Sequence, residues 1–193
     1  MASDLEIVNS ALSRIGVAPI SAIGENTEAG LLAQNTYANY RDILLQSHPW
    51  KFATRSVKLS DLFTPTPAGW SQAFKLPVDC LRPLEIKDLG KDNFWDVEDG
   101  GSGFEVLVID YTATAIDIRY IRRIEASGRF SAGFTEALMQ KLAAEWAEPL
   151  TSSNTLHDRM EQKEDRVIRT ARSYEGQQGT PQVVRHYSWI QER

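Results

Sequence analysis

The chain has 193 residues, 42% of them hydrophobic and 24% charged, with 21 Lys and Arg against 26 Asp and Glu, a net charge of −5. That size and balance describe a soluble globular protein with one sizeable core, or one core with a subdomain. The acidic excess argues against a surface that wraps DNA or binds anionic membrane, since both need a basic patch; the single cysteine, Cys80, excludes an intramolecular disulfide and a thiolate zinc site.

The opening MASDLEIVN carries no basic region followed by an apolar run, so no signal peptide is expected. No stretch approaches about 18 consecutive apolar residues, so no membrane helix is expected, and the chain should fold in a cytoplasm. Residues 4–16 read as a helix. Ser3 or Asp4 caps it, Leu5, Val8, Leu12 and Ile15 form its stripe, and Gly16 stops it. A second helix opens at Asn26 or Thr27, with Glu28 in its first turn, and runs to about residue 47. Its expected stripe is Ala29, Leu32, Ala33, Thr36, Tyr40, Ile43 and Leu44, with Asn39, Arg41, Asp42 and Gln46 on other faces. Pro49 ends it, and Trp50 and Phe52 sit where helix gives way to sheet.

Residues 50–125 are expected to be β-rich. Val57 and Leu59 alternate with Ser56, Lys58 and Ser60. Residues 73–76, 82–87, 94–98, 104–110 and 115–124 are further strand candidates. In the last, Ile116, Ile118 and Tyr120 share one face and Asp117 and Arg119 the other. Proline and glycine dominate a loop at 63–69, and Asp99-Gly100-Gly101-Ser102-Gly103 is a hairpin signal. Short turns between strands predict an antiparallel meander.

Helices return at 130–150, where Phe134, Leu138, Leu142 and Trp146 recur every fourth residue and Pro149 is the expected end. A fourth helix, about 155–175, follows the capping run TSSN; its stripe is Leu156, Met160, Val167, Ala171 and Tyr174. Its other faces carry Asp158, Arg159, Glu161, Lys163, Glu164, Asp165 and Arg166, a mixed-sign solvated surface. Gly176 and Gly179 release the chain into a tail. The predicted fold is therefore α+β: a four-helix bundle (1–49 and 126–175), an antiparallel β-meander inserted between helices 2 and 3 (50–125), and an extended C-terminal arm (176–193).

The glycine run at 100–103 precedes a strand and lacks Gly-Lys-Ser/Thr, so it reads as a hairpin and not as a phosphate loop. His48, His157 and His186 are too far apart to pair as metal ligands. Cys80 has no nucleophile signature around it and fits a small buried hydrophobe. Carboxylate pairs such as Glu136 with Glu145, or Asp96 with Glu98, suit glycoside hydrolysis only if they face one another across a cleft. Trp50 and Trp146 fit core positions, while Trp70 and Trp189 fit exposed contacts. No cofactor is expected.

The stretches NSALSRIG (9–16), PI (19–20), YRDILL (40–45) and PWKFA (49–53) resemble the tail tubular protein A family of short-tailed phages, also called head-to-tail adaptors. Trp70 with FKLPVDCLR (74–82) is similar to that family's W-x-x-x-[YF]-x-LP-x-D-C-L-R stretch. Tyr120-Ile121, Phe134 with Ala137, LAAE (142–145) and Pro149-Leu150 continue the likeness, which covers residues 3–160 in order. The resemblance implies a virion protein at the head–tail junction, assembled in the host cytoplasm. It implies a homo-oligomeric, dodecameric ring below the portal protein that carries the nozzle or tail tube, with double-stranded DNA passing through its bore. Some members of the family are assigned cell-wall-degrading activity, so a tail-associated peptidoglycan or polysaccharide hydrolase is the alternative.

On this resemblance the loops Thr64, Pro65, Thr66, Pro67 and Gly100, Gly101, Ser102 are expected to face the nozzle. Asp158, Arg159, Glu161, Lys163, Arg166 and Arg169 on the fourth helix are expected to make ring contacts. In the tail, Val183, Val184, Arg185, Tyr187, Trp189, Ile190 and Arg193 are expected to dock on the portal or a neighbouring subunit. Twelve copies at −5 each amount to roughly −60 around the ring, which lets DNA phosphates slide without sticking.

Overall fold

The computed structural model of the protein describes residues 2–87, 89–90, 93–101 and 103–177. It is α+β, with four α-helices and two three-stranded antiparallel sheets.

Helix α1 (Asp4–Arg14) starts at a capping box. Ser3 Oγ accepts the Glu6 N–H at 3.2 Å, and the Glu6 carboxylate accepts the Ser3 N–H at 2.7 Å. Gly16, at φ +76°, turns the chain away. Asn9 then fastens the connector: its side chain both donates to and accepts from the backbone of Ile20, at 3.0 and 2.9 Å. Helix α2 (Glu28–Gln46) is capped by Thr27, whose Oγ1 accepts the Gly30 N–H at 3.1 Å.

The buried face of α2 is rotated from the expected stripe. Ala29, Ala33, Tyr37, Leu44 and Leu45 are buried, Leu32, Thr36 and Tyr40 are half-buried, and Ile43 is exposed. Arg41, expected on an outer face, is buried. Tyr37 and Arg41 both find polar partners, one on α1 and one in α2 itself. Tyr37 donates its hydroxyl to Asp4 of α1 at 3.0 Å. Arg41 meets Asp42 at 2.8 Å, and Asp42 also accepts Arg123 at 2.7 Å. A buried guanidinium is tolerable only with such a partner.

Trp50 is fully buried where α2 ends; its Nε1 donates to the Leu44 carbonyl at 2.9 Å. Its ring meets Phe134 edge-on at 5.2 Å, and Phe52 and Phe130 complete the aromatic cluster around Phe134. The expected joint between helix and sheet is therefore an aromatic one.

The first sheet contains β1 (Thr54–Leu59), β3 (Cys80–Ile86) and β6 (Ile116–Arg122), in order β1-β6-β3. The second contains β2 (Gln72–Lys75), β4 (Trp95–Asp99) and β5 (Glu105–Ile109), in order β2-β5-β4. The six expected strands are present, but they do not form a meander. Among the described residues only β4 and β5 pair as sequence neighbours. The reason lies in the two middle strands: β5 is buried on both faces, and β6 is buried along one face and, at Ile121, on the other, where Asp117 is exposed. Leu107 and Ile109 of β5 face the first sheet, packing with Leu59, Phe74, Ile118 and Tyr120; Val106 and Val108 lie under Phe63 and Trp70. In β6, Tyr120 joins this sandwich core, while Ile121 joins the helical core. A strand covered on both sides takes the centre of its sheet, and its partners then come from distant stretches of chain.

Helix α3 (Ala132–Thr151) is the central helix, and α1, α2 and α4 each pack on it. Phe134, Leu138, Leu142 and Trp146 are all buried, as the spacing predicted. Pro149 lies inside the last turn and does not end the helix; Ser152, at φ 52°, closes it. A proline so near the end removes little of the helical ladder. Gln140 is buried and joins three helices. It accepts from Arg14 of α1 at 3.0 Å and donates to the Met160 carbonyl of α4 at 3.1 Å.

Helix α4 (Asn154–Gln177) begins after Ser153, whose Oγ accepts the Leu156 N–H at 3.3 Å. It runs back along α3 so closely that a Cβ at Gly133 would lie 3.4 Å from that of Ala171. Beyond that crossing α3 has ended, so Tyr174, expected in the stripe, is 62% exposed. Glu175 is buried instead, and its carboxylate accepts the Lys51 N–H at 3.1 Å. No described helix is long and apolar enough to cross a membrane.

Candidate functional site

The two loops singled out in sequence come together at one end of the second sheet. Phe63 and Trp70 anchor residues 63–70 on Ala73, Val106 and Val108, and the Trp70 indole donates to Glu98 at 2.6 Å. Trp70 is thus half-buried rather than a free contact. Between these anchors Thr64 and Pro65 are exposed, and Thr66 and Pro67 are half-buried. The β4–β5 hairpin turns at Gly100 and Gly101, where Asp99 accepts the Gly101 N–H at 2.9 Å and Gly101 has φ +76°. Gly100 packs so closely on Phe63 that a Cβ there would sit 3.0 Å from its ring. Ser102 lies outside the described residues.

Next to this loop pair is an apolar cleft of about 470 Å³ whose walls include Phe63, Leu76, Pro77, Cys80 and Phe104. Cys80 pairs with Arg122 in the sheet, and the Arg122 N–H reaches the Ala53 carbonyl. The cleft therefore opens at the helix-proximal end of β3. Val78 borders it and also a second cleft, about 420 Å³, that contains Asp79, Arg122, Arg123, Glu125 and Arg129. Both oxygens of Asp79 are engaged: one accepts the Tyr120 hydroxyl at 3.0 Å and the other faces Arg122 at 3.7 Å. Burial, with Asp79 and Glu105 adding to it, pushes the Cys80 thiol up to about 12. That makes it a poor nucleophile and fits the small-hydrophobe role.

The charged row on α4 is where the sequence placed it. Asp158, Arg159, Glu161, Lys163, Arg166 and Arg169 are all exposed. Glu164 is the exception to the solvated face. Lys141 reaches across from α3, its ammonium 3.2 Å from Glu145 and 3.3 Å from Glu164. Burial raises the Glu164 carboxyl pKa, with Lys141 opposing. These two carboxylates share a cation and line neither cleft, so they do not face each other across space for a substrate. Glu136 is likewise held by Arg14 at 2.7 Å, and Glu98 by Trp70. His157, Asp158 and Glu161 bring possible ligand atoms within 4.8 Å of one another, a grouping missed by looking for histidine pairs. Two of the three are exposed and no buried group orients them, so the cluster has little to select an ion.

The expected docking residues Val183, Val184, Arg185, Tyr187, Trp189, Ile190 and Arg193 lie outside the described residues, as does His186. The described chain ends at Gln177, two residues beyond the anchored Glu175.

The sequence reading also missed three exposed apolar side chains, Val78, Phe94 and Phe104. Phe94 and Phe104 flank strands, where an apolar residue reads as part of the buried run; nothing in the local pattern marks either as exposed. Comparison of the chain with family models gives no match, and comparison with curated proteins gives none.

Proposed function

We propose that the protein is a structural adaptor, one subunit of a ring at the head-to-tail junction of a short-tailed phage virion. In this role a helical bundle with its β insert meets the portal protein on one side and the nozzle or tail tube on the other. Double-stranded DNA passes through the bore without sequence-specific contacts. The observation that carries this is the outer face of α4: six charged residues of both signs, all exposed, on a helix whose other side is fixed to α3. Complementary charges on neighbouring subunits set register in a ring more than they add affinity. The ordered motifs at residues 3–160, which resemble those of the head-to-tail adaptors, support this choice of assembly. The surplus of acids supports a bore along which DNA slides.

The test is the native mass of the purified protein, alone and with a portal, across a salt series. A closed multimer of about twelve copies that loosens as salt rises past the range where surface charges are screened supports the adaptor. A monomer under all these conditions, or a ring lumen dominated by Lys and Arg, overturns it.

A further inference from the structure

The end of the described chain stands beside an apolar groove. Where the last turns of α4 pass the start of α3, the two helices leave a channel of about 430 Å³. Its apolar walls are Ala132 and Gly133 of α3 and Val167, Ala171 and Tyr174 of α4. Gly133 and Ala171 meet within it, and Tyr174 stands at one end, 62% exposed. Glu136 and Arg166 put one charge of each sign on its walls, and Glu136 is already held by Arg14 at 2.7 Å. Charge therefore does not choose what covers the groove.

Connectivity does. The described chain ends at Gln177, less than one helical turn past Tyr174. The sequence continues for 193 − 177 = 16 residues, among them Val183, Val184, Tyr187, Trp189 and Ile190. Apolar side chains of this kind are stabilised by a surface that takes them out of water. Sequence points them towards the portal or a neighbour, yet the groove is a surface of their own subunit close to where the chain leaves α4. Gly179 and Pro181, between Gln177 and Val183, are residue types that favour a reversal. The lengths also agree. Tyr174 and Arg166 are 174 − 166 = 8 residues apart on α4, about 12 Å. Val183 and Tyr187 are 187 − 183 = 4 residues apart, about 13 Å of extended chain.

We propose that residues 183–187 of this chain lie in the α3–α4 groove of the same subunit, running back along α4 from Tyr174 towards Arg166. Residues 178–182 make the reversal. Val183 then sits beside Tyr174, Arg185 passes over Thr170, and Tyr187 reaches the Arg166 end. A linker this short holds the tail over its own groove at an effective concentration on the order of millimolar, well above that of a second subunit in dilute solution. The contact lies within one chain, so it goes beyond the ring reading and does not rest on it. A partner that takes the tail has first to lift it from the groove.

The test is a disulfide trap in the full chain, Thr170→Cys with Arg185→Cys, oxidised at micromolar protein. Mass spectrometry of unreduced peptides locates the link and sets it apart from any link to Cys80. Mixing isotope-labelled with unlabelled protein tells links within one chain from links between two. An intrachain link is expected. Two further changes, made separately in the trap, should each slow it on the order of 10-fold: Tyr174→Asp, which removes the exposed wall, and Val183→Ser with Tyr187→Ser, which removes the tail's contacts. Tyr174 is exposed, so the first should melt like its parent by circular dichroism; if it does not fold, the second decides alone. A link whose rate a folded variant leaves unchanged overturns the contact, because a tail that only wanders past Thr170 is indifferent to both changes. No link, or links mainly between chains, overturns it too, the latter giving the groove to a second copy. Each of these failures leaves the adaptor reading standing, since native mass tests that separately.

Discussion

Ile121 belongs to β6, the strand shared by the two cores. It is fully buried on the helical side, while Ile118 and Tyr120 of the same strand point into the sandwich. Ile121→Ala removes a buried side chain from a packed site, which costs about 2–5 kcal/mol; about 3 is expected here because β6 is held on both edges and cannot collapse into the space. That corresponds to a rise of roughly 150-fold in the globally unfolded population. The informative readout is hydrogen exchange at β5, in the other sheet, which Ile121 does not touch. If the helical half and the sandwich unfold as one unit, the amides of Leu107 and Ile109 exchange faster by the same factor as those in α3. Ile118→Ala should produce the reverse: a lesion in the sandwich felt equally in α3. Acceleration confined to α3 after Ile121→Ala refutes the reasoning and makes the two halves independent folding units.

Burial, then Arg172, lower the His48 pKa below its ordinary value; Glu175 partly opposes and Arg82 adds to the lowering. A depressed histidine favours the native state above its unfolded pKa of about 6.5, and that stability is lost as pH falls through the folded value. His48→Asn should therefore flatten the drop in urea midpoint between about pH 7 and about pH 5; an unchanged slope removes His48 as its source. Lys141→Met should act in the opposite sense. Glu164 already has a raised pKa from burial, and without the ammonium it rises further. The native state then holds a proton the unfolded chain releases, so the variant loses stability as pH climbs from about 4.3. The gap in melting temperature between variant and wild type should widen from acid to neutral pH, and a constant gap contradicts the coupling.

What the sequence made legible follows from what each pattern depends on. Ser3 and Thr27 were readable as caps because capping is local chemistry. The strand at residues 115–124 was readable because Ile116, Ile118 and Tyr120 alternate, and the hairpin because Gly101 and Gly103 take positive φ. Strand order was not readable, because it depends on which strands are covered twice, and Val106 to Ile109 look the same whichever neighbours cover them. The face of α2 was misjudged because Tyr37, Tyr40 and Arg41 are all amphipathic, and their polar partners, Asp4 of α1 for Tyr37 and the neighbouring Asp42 for Arg41, are not visible in the apolar periodicity. At the candidate site, loops and charges were legible and the exposure of Val78, Phe94 and Phe104 was not. Phe94 and Phe104 stand just before β4 and β5, where an apolar residue reads as part of the buried run.

The hydrogen bond from Arg14 to Gln140 joins groups 126 residues apart. It has a consequence for the order in which the chain becomes structured. The α3–α4 hairpin is built from neighbours and closes quickly once both helices exist, whereas α1 and α2 must wait for α3. From Gln46, where α2 ends, to Thr151, where α3 ends, there are 151 − 46 = 105 residues. At ordinary translation rates that is a delay of roughly 5–20 s. Throughout it Ala33, Tyr37, Leu44 and Leu45 lack the helix they pack on, so the nascent chain passes through a sticky stage long after its first helices are made.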